Sequence, residues 1–157
     1  MRLTLLLAAL LGLASFVQAR SKDLEIYFVD VEGGQATLMV TPAGQSLLID
    51  TGWADNNMRD ADRIAAAAKL AKIKKIDYVL ITHFHADHIG GVPQLLQKLP
   101  VGTFLDHGPN REEGNKRQAR LVDDYEKAIA GSQHLVLKPG DKVPIKGIDG
   151  TVVSADG

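Results

Sequence analysis

The chain contains no cysteine, which excludes disulfides and thiolate metal ligands, although it does not by itself identify a compartment. Charge of one sign is lacking too. Its 18 basic and 19 acidic residues leave a formal net charge of −1, falling by one more if Arg2 leaves with a leader. Nothing in that balance advertises nucleic acid or an anionic membrane as a partner. Repeats and low-complexity linkers are absent, and 157 residues suffice for one ordinary core with no spare domain. What remains, 45% hydrophobic and 24% charged residues, is a globular composition.

The long apolar run is confined to the N-terminus. Arg2 supplies a short positive region and Leu3 to Val17 is almost wholly apolar, yet shorter than the ~20 residues that a bilayer span needs. Val17-Gln18-Ala19 reads as a small-residue cleavage site before the polar Arg20-Ser21-Lys22. Residues 1–19 are therefore expected to be an export signal. Residues 20–157 would form one periplasmic or extracellular domain with no membrane attachment after cleavage.

The chemistry gathers in Thr82-His83-Phe84-His85-Ala86-Asp87-His88-Ile89-Gly90-Gly91, where three imidazoles and a carboxylate fall within six consecutive positions. The preceding Ile76-Asp77-Tyr78-Val79-Leu80-Ile81 is short, β-branched and aromatic, and reads as a buried strand. In extended chain His83 and His85 point the same way and suit one ion. Asp87 is placed to cap a following helix whose first turn carries His88, with Gly90, Gly91 and Pro93 bounding it. That bend carries Asp87 and His88 towards a second ion. Imidazole nitrogen and carboxylate oxygen are donors that Zn²⁺ or Fe²⁺ accepts. A lone surface histidine usually does nothing, but three at the end of a buried strand need something to satisfy them.

His83-x-His85-x-Asp87-His88 after a hydrophobic strand resembles the signature of metallo-β-lactamase-fold hydrolases. Leu47-Leu48-Ile49-Asp50-Thr51-Gly52 resembles the strand of that family ending in Asp-x-Gly. Leu24 to Val40, with Val29-Asp30-Val31 before Gly33-Gly34-Gln35, is similar to the opening hairpin of the branch found in competence-protein hydrolase domains. The resemblance runs from Leu24 to about Asn110. It implies the N-terminal half of an αββα sandwich, with His83 and His85 on one divalent ion, Asp87 and His88 on a second, and Asp50 behind them fixing their orientation. Zinc is the first expectation for both ions, with iron or manganese also accommodated. Asp87 would then orient the attacking water or pass its proton to the leaving group. Members cleave lactams, thioesters, lactones, esters and phosphodiesters, so the fold does not settle the substrate.

Family members complete their two metals with a later histidine, a bridging aspartate and a last histidine. Beyond the motif this chain has only His107 and His134, neither at the corresponding places. It therefore reads as the first half of such a domain, truncated at its C-terminus, with a second copy of the chain as one route to the missing donors. Two functions stay open, a secreted metal-dependent hydrolase and a non-catalytic metal-binding half-domain. A phosphodiesterase or nuclease is a narrower third, to which the slightly acidic chain gives no help.

Patterning predicts strands at Leu24–Asp30, Ala36–Thr41 and Ser46–Asp50 as a meander, then a helix over Arg59–Lys72 with Asp60 and Asp62 in its first turn and Lys69 and Lys72 in its last. A short helix at Val92–Leu99, a strand at Val101–Asp106, a helix at Lys116–Ala130 closed by Gly131, and strands at His134–Leu137, Lys142–Ile145 and Thr151–Ser154 follow. That order predicts an α/β layered fold with a mixed sheet. Ligands gather beyond the carboxyl ends of strands in such sheets, which places Asp50, His83 and the pair Asp106-His107 at one edge. His107 is then a candidate for contact with substrate or with the ligands, or a loop histidine bonded to backbone. His134 reads as a partly exposed edge residue, and Trp53, the sole tryptophan, as core more readily than pocket wall. The basic clusters Lys69, Lys72, Lys74 and Lys75, and Lys116, Arg117 and Arg120, read as solvated faces before phosphate contacts.

Overall fold

Alternation of apolar side chains across each strand builds a sheet with two covered faces. The computed structural model describes residues 23–54, 56–111 and 115–155; the expected export signal at 1–19 lies outside them. Six strands lie side by side in chain order: β1 Glu25–Phe28, β2 Thr37–Val40, β3 Ser46–Ile49, β4 Ile76–Leu80, β5 Val101–Asp106 and β6 Gln133–Val136. The β1–β2 and β2–β3 pairs are antiparallel. From β3 onward every pair is parallel, with Ile49 opposite Leu80, Leu80 opposite Leu105, and Leu105 opposite Leu135. Parallel neighbours need crossovers, supplied by α1 (Arg59–Leu70), by the single turns α2 (Ala86–Ile89) and α3 (Val92–Leu95), and by α4 (Lys116–Ile129).

One face packs on these helices: Leu38, Val40, Leu48, Val79 and Phe104 meet Ile64, Ala68, Leu95, Val122 and Tyr125. The intervening Leu47 and Leu105 face the other way, with Met39, Ile49 and Leu80, against Ile145, Val143, Leu137 and Ile148 from the chain after β6. That segment reaches across the sheet to the β2–β3 turn, where the Lys146 amide donates to Gln45 Oε1 at 2.7 Å. The mixed layered α/β fold is as expected, and the register sets the carboxyl ends of β3, β4 and β5 along one edge.

The structure corrects several local expectations. The two late strands reduce to one bridge, Lys142 with Thr151; Pro144 has no N–H to continue a ladder. Helix α1 stops at Leu70, and Lys72 lies beyond it in the left-handed region at φ 55°. The Ile73 amide donates to Ala68 O and the Lys72 amide to Lys69 O, which is the Schellman closure usually made with glycine. Asp87 does not cap α2. His85 takes the N-cap position without a side-chain cap bond, and Asp87 sits inside the turn.

Gly90 and Gly91 serve space rather than conformation, since both have ordinary helical φ. A Cβ on Gly91 would run into the Thr51 carbonyl oxygen, and one on Gly90 into that of Ala86. Their bareness lets the turn after the histidines lie directly on the Asp50–Gly52 loop, with the Gly91 amide donating to Gly52 O at 3.1 Å. Gly91→Ala is expected to cost about 1–3 kcal/mol by overpacking against rigid backbone, while Gly131→Ala, with nothing within 4 Å of its Cβ, should stay within about 0.5 kcal/mol. Equal urea midpoints for the two variants would contradict this account.

Candidate metal centre at the sheet edge

Where β4 ends, Ile81 and Phe84 turn into the core while His83 stays half-buried and His85 exposed. That alternation brings the two rings to one side, with centroids 4.6 Å apart and nearly perpendicular. The turn of α2 returns His88 over them, its ring 3.9 Å from that of His83. All three imidazoles meet at the edge, His83 and His85 by their two-residue spacing and His88 by the turn of α2.

Asp50 fixes the arrangement from beneath. It follows β3, is fully buried, and adopts φ 57°, a left-handed conformation that aspartate tolerates better than most residues. Its Oδ1 accepts the Thr82 amide at 2.8 Å, and its Oδ2 accepts the Thr82 hydroxyl at 2.7 Å. The same Oδ2 lies 2.8 Å from His88 Nδ1. The hydrogen bond to a buried carboxylate sets Nδ1 as the protonated nitrogen, so that in the neutral ring it is Nε2 that offers a lone pair. His88 Nε2 lies 3.5 Å from Asp87 Oδ2. The carbonyl of His88 is gripped as well, by the Thr51 amide and hydroxyl, each at 2.8 Å.

Burial, and then the neighbouring His88 and His85, hold His83 below the usual imidazole pKa. Neutral imidazole is the form that binds a metal. Thr82 Oγ1 stands 3.1 Å from His83 Nδ1, and His83 Nε2 lies 3.0 Å from His85 Nδ1. The rings thus bond to one another, and among the described residues no three His, Asp or Glu side chains already close around one point. The donor set nevertheless fits a divalent ion in kind: three imidazoles, one oriented by a buried carboxylate, with Asp87 alongside.

A cleft of about 340 Å³ opens beside His83 and His85, walled by Phe84, His107, Arg111 and Gln118. The side-chain amide of buried Gln118 donates to the carbonyl of Phe84, tying α4 to the motif. The His107 ring lies against Phe84, centroids 4.7 Å apart and planes tilted by 45°, and lines the same cleft. Asp106 does not join it. Buried, its Oδ2 accepts Tyr125 Oη–H at 2.7 Å and lies 2.8 Å from His134 Nε2, while Oδ1 accepts the Gly108 amide. Asp106 thus locks α4 to the edge strand β6, and His134 is the partly exposed edge residue expected, 37% exposed and paired. Burial, followed by the charge and hydrogen bond of Asp106, pushes the Tyr125 hydroxyl well above the ordinary phenol range.

Trp53 proves to be pocket wall rather than core. Half-buried, it lines a neighbouring cleft of about 450 Å³ with Lys116, Arg117 and Arg120. Asp60, expected merely to favour the helix dipole, is buried; it accepts the Trp53 amide at 2.9 Å and Arg59 Nε at 2.7 Å. It therefore holds the loop after Asp50. Its place two residues into a helix gave no sign of this, because the contact depends on how α1 packs.

The chain matches the family model described as the metallo-beta-lactamase superfamily over residues 29–152. It is 25% identical over 114 residues to a beta-lactamase-like protein 2 homolog of Caenorhabditis elegans, covering 68% of this chain and 37% of that protein. It is 46% identical over 62 residues to a hydroxyacylglutathione hydrolase of Aliivibrio salmonicida, covering 37% of this chain and 24% of that one. A solved metallo-beta-lactamase of Cronobacter sakazakii, a HARLDQ-motif mutant, superposes with a TM-score of 0.57 at 16% identity, over 82% of this chain and 49% of that one. That likeness is one of fold, and the chain spans about half or less of each of these proteins. Because the matched stretch takes in β2 to β6, the helices α1 to α4 and the whole histidine loop, the chain belongs to the metallo-beta-lactamase superfamily.

Proposed function

We propose that the chain supplies one lobe of a metal-dependent hydrolase, with His83 and His85 holding one divalent ion, Asp87 and His88 a second, and zinc the preferred metal. The observation that carries this reading is the Asp50–His88 bond: a fully buried carboxylate that accepts from an imidazole at 2.8 Å is how proteins orient a metal-binding histidine. Divalent ions held there supply Lewis acidity and bring the pKa of water towards neutrality. Thr82 and Asp50 hold the rings in place. Asp87, half-buried beside His88 Nε2, is placed to accept a proton from an attacking water and return it to a leaving group. His107 faces the same cleft.

The reaction is hydrolysis of an acyl bond (ester, thioester, lactone or lactam) or of a phosphodiester. The near-neutral chain favours the acyl class over a nucleic acid. A second reading, a metal-binding half-domain without turnover, is favoured by the self-bonded histidines. Elemental analysis of the purified chain with a chromogenic lactam, thioester and phosphodiester panel separates the two. Two ions per chain with turnover is the expected result. One weakly held ion or none, without turnover, would replace the hydrolase reading with the half-domain.

A further inference from the structure

We infer that the cleft beside the histidines is built to receive a substrate carrying an oxyanion, a carboxylate or phosphate group, seated between His107 and Arg111. The inference rests on the hydrolase reading for its substrate but on separate residues for its argument. His107 Nδ1 is buried and finds no hydrogen-bond partner among the described residues. A buried polar atom left unpaired costs ~1–3 kcal/mol, and native structures rarely leave one so without a ligand or water to meet it. The same cleft carries Arg111, Asn110 and the rings of His83 and His85, and none of its described lining residues is acidic. A guanidinium offers paired N–H donors matched to carboxylate or phosphate oxygens.

The surroundings extend the bias. From Arg111 to Arg120 the sequence holds four cations, Arg111, Lys116, Arg117 and Arg120, against the two glutamates at 112 and 113, in a chain that is acidic by one overall. Lys116, Arg117 and Arg120 line the adjoining cleft across Gln118, against the one carboxylate of Asp124. They enrich anions near the entrance, but only Arg111 shares a cleft with His83 and His85.

The test is titration of the full chain, as purified, with inorganic phosphate and with succinate, following the His107 ring by NMR. Wild type should bind at least one of the two, and the arm that binds tells phosphate from carboxylate. Arg111→Gln should weaken binding at least about tenfold, and Arg111→Lys should restore only part of it. Arg120→Gln, which removes the same charge from the neighbouring cleft, should change affinity less than about twofold. Absence of binding by wild type, equal affinity in Arg111→Gln, or an equal loss in Arg120→Gln would each overturn the inference. Binding needs no turnover, so anion binding through Arg111 without hydrolysis would count against the hydrolase reading alone, and turnover without anion binding against the oxyanion cleft alone. Among active preparations, Arg111→Gln should lower kcat/KM for a carboxylate-bearing ester about tenfold relative to its uncharged analogue, chiefly through KM.

Discussion

His85→Ala is expected to remove metal from the proposed site and lower hydrolysis by about a thousandfold or more, while leaving the fold intact. The two halves of this expectation have different causes. A divalent ion contributes several kcal/mol of stabilisation to developing charge, and each 1.36 kcal/mol is a factor of ten in rate. His85, by contrast, is exposed and stands at the N-cap of α2 without making a cap bond, so its truncation should change stability by about 0.5 kcal/mol. Zinc stoichiometry, far-UV circular dichroism and urea midpoints, measured on the same preparations, check both parts. Unchanged metal content in the variant would dismiss His85 as a ligand. A collapsed urea midpoint would show that the residue supports the fold instead.

Asp50 should give the second large effect, and two substitutions separate its roles. In Asp50→Asn the acceptor for the Thr82 amide can be kept, but the side-chain NH₂ must then face His88 Nδ1. That nitrogen would have to accept, which moves the ring proton to Nε2, the atom proposed to face the metal. Metal affinity should fall about 10–100-fold, with the tautomer change visible in the ¹⁵N spectrum of His88. Asparagine also tolerates left-handed backbone, so stability should hold. Asp50→Ala strands the part-buried amide of Thr82 and places alanine at φ 57°, and should cost about 3 kcal/mol in addition. Full metal affinity in Asp50→Asn would refute the orienting role. Equal stability of the two variants would refute the structural one.

These expectations depend on contacts made by residues far apart in sequence. Asp50 and His88 are 38 residues apart, Gln118 and Phe84 are 34, and Asp106 and His134 are 28. Parallel pairing of β3, β4 and β5 puts their carboxyl ends in one row, and every donor to the site lies on the first stretch of chain after a strand. The same topology explains why the glycines of the motif are tightly placed. Two loops from adjacent strand ends must lie on each other, and only a bare Cα allows it.

Much of this protein was readable from residues alone. The strand before the motif, β5 and the start of α4 were legible because each combines a strong local period with its own end signal. The α4 helix, for example, starts at Lys116 as its period predicted, and the structure adds the Asn115 side chain capping the amides of Arg117 and Gln118. The clustering of His83 and His85 followed from the two-residue repeat of extended chain, and Asp50 was marked by the end of its strand. What tertiary structure alone decided was where polar side chains went once helices had packed. Asp106 turned to Tyr125 and His134 instead of the histidines, Asp60 became buried, and Trp53 became cleft wall. Lys142–Ile145 shrank to a single bridge with Thr151, because Pro144 has no N–H to continue the ladder. Periodicity and capping are interactions within a few residues, so sequence shows them. Partners of a buried polar group or of a strand edge come from elsewhere in the chain, and packing assigns them.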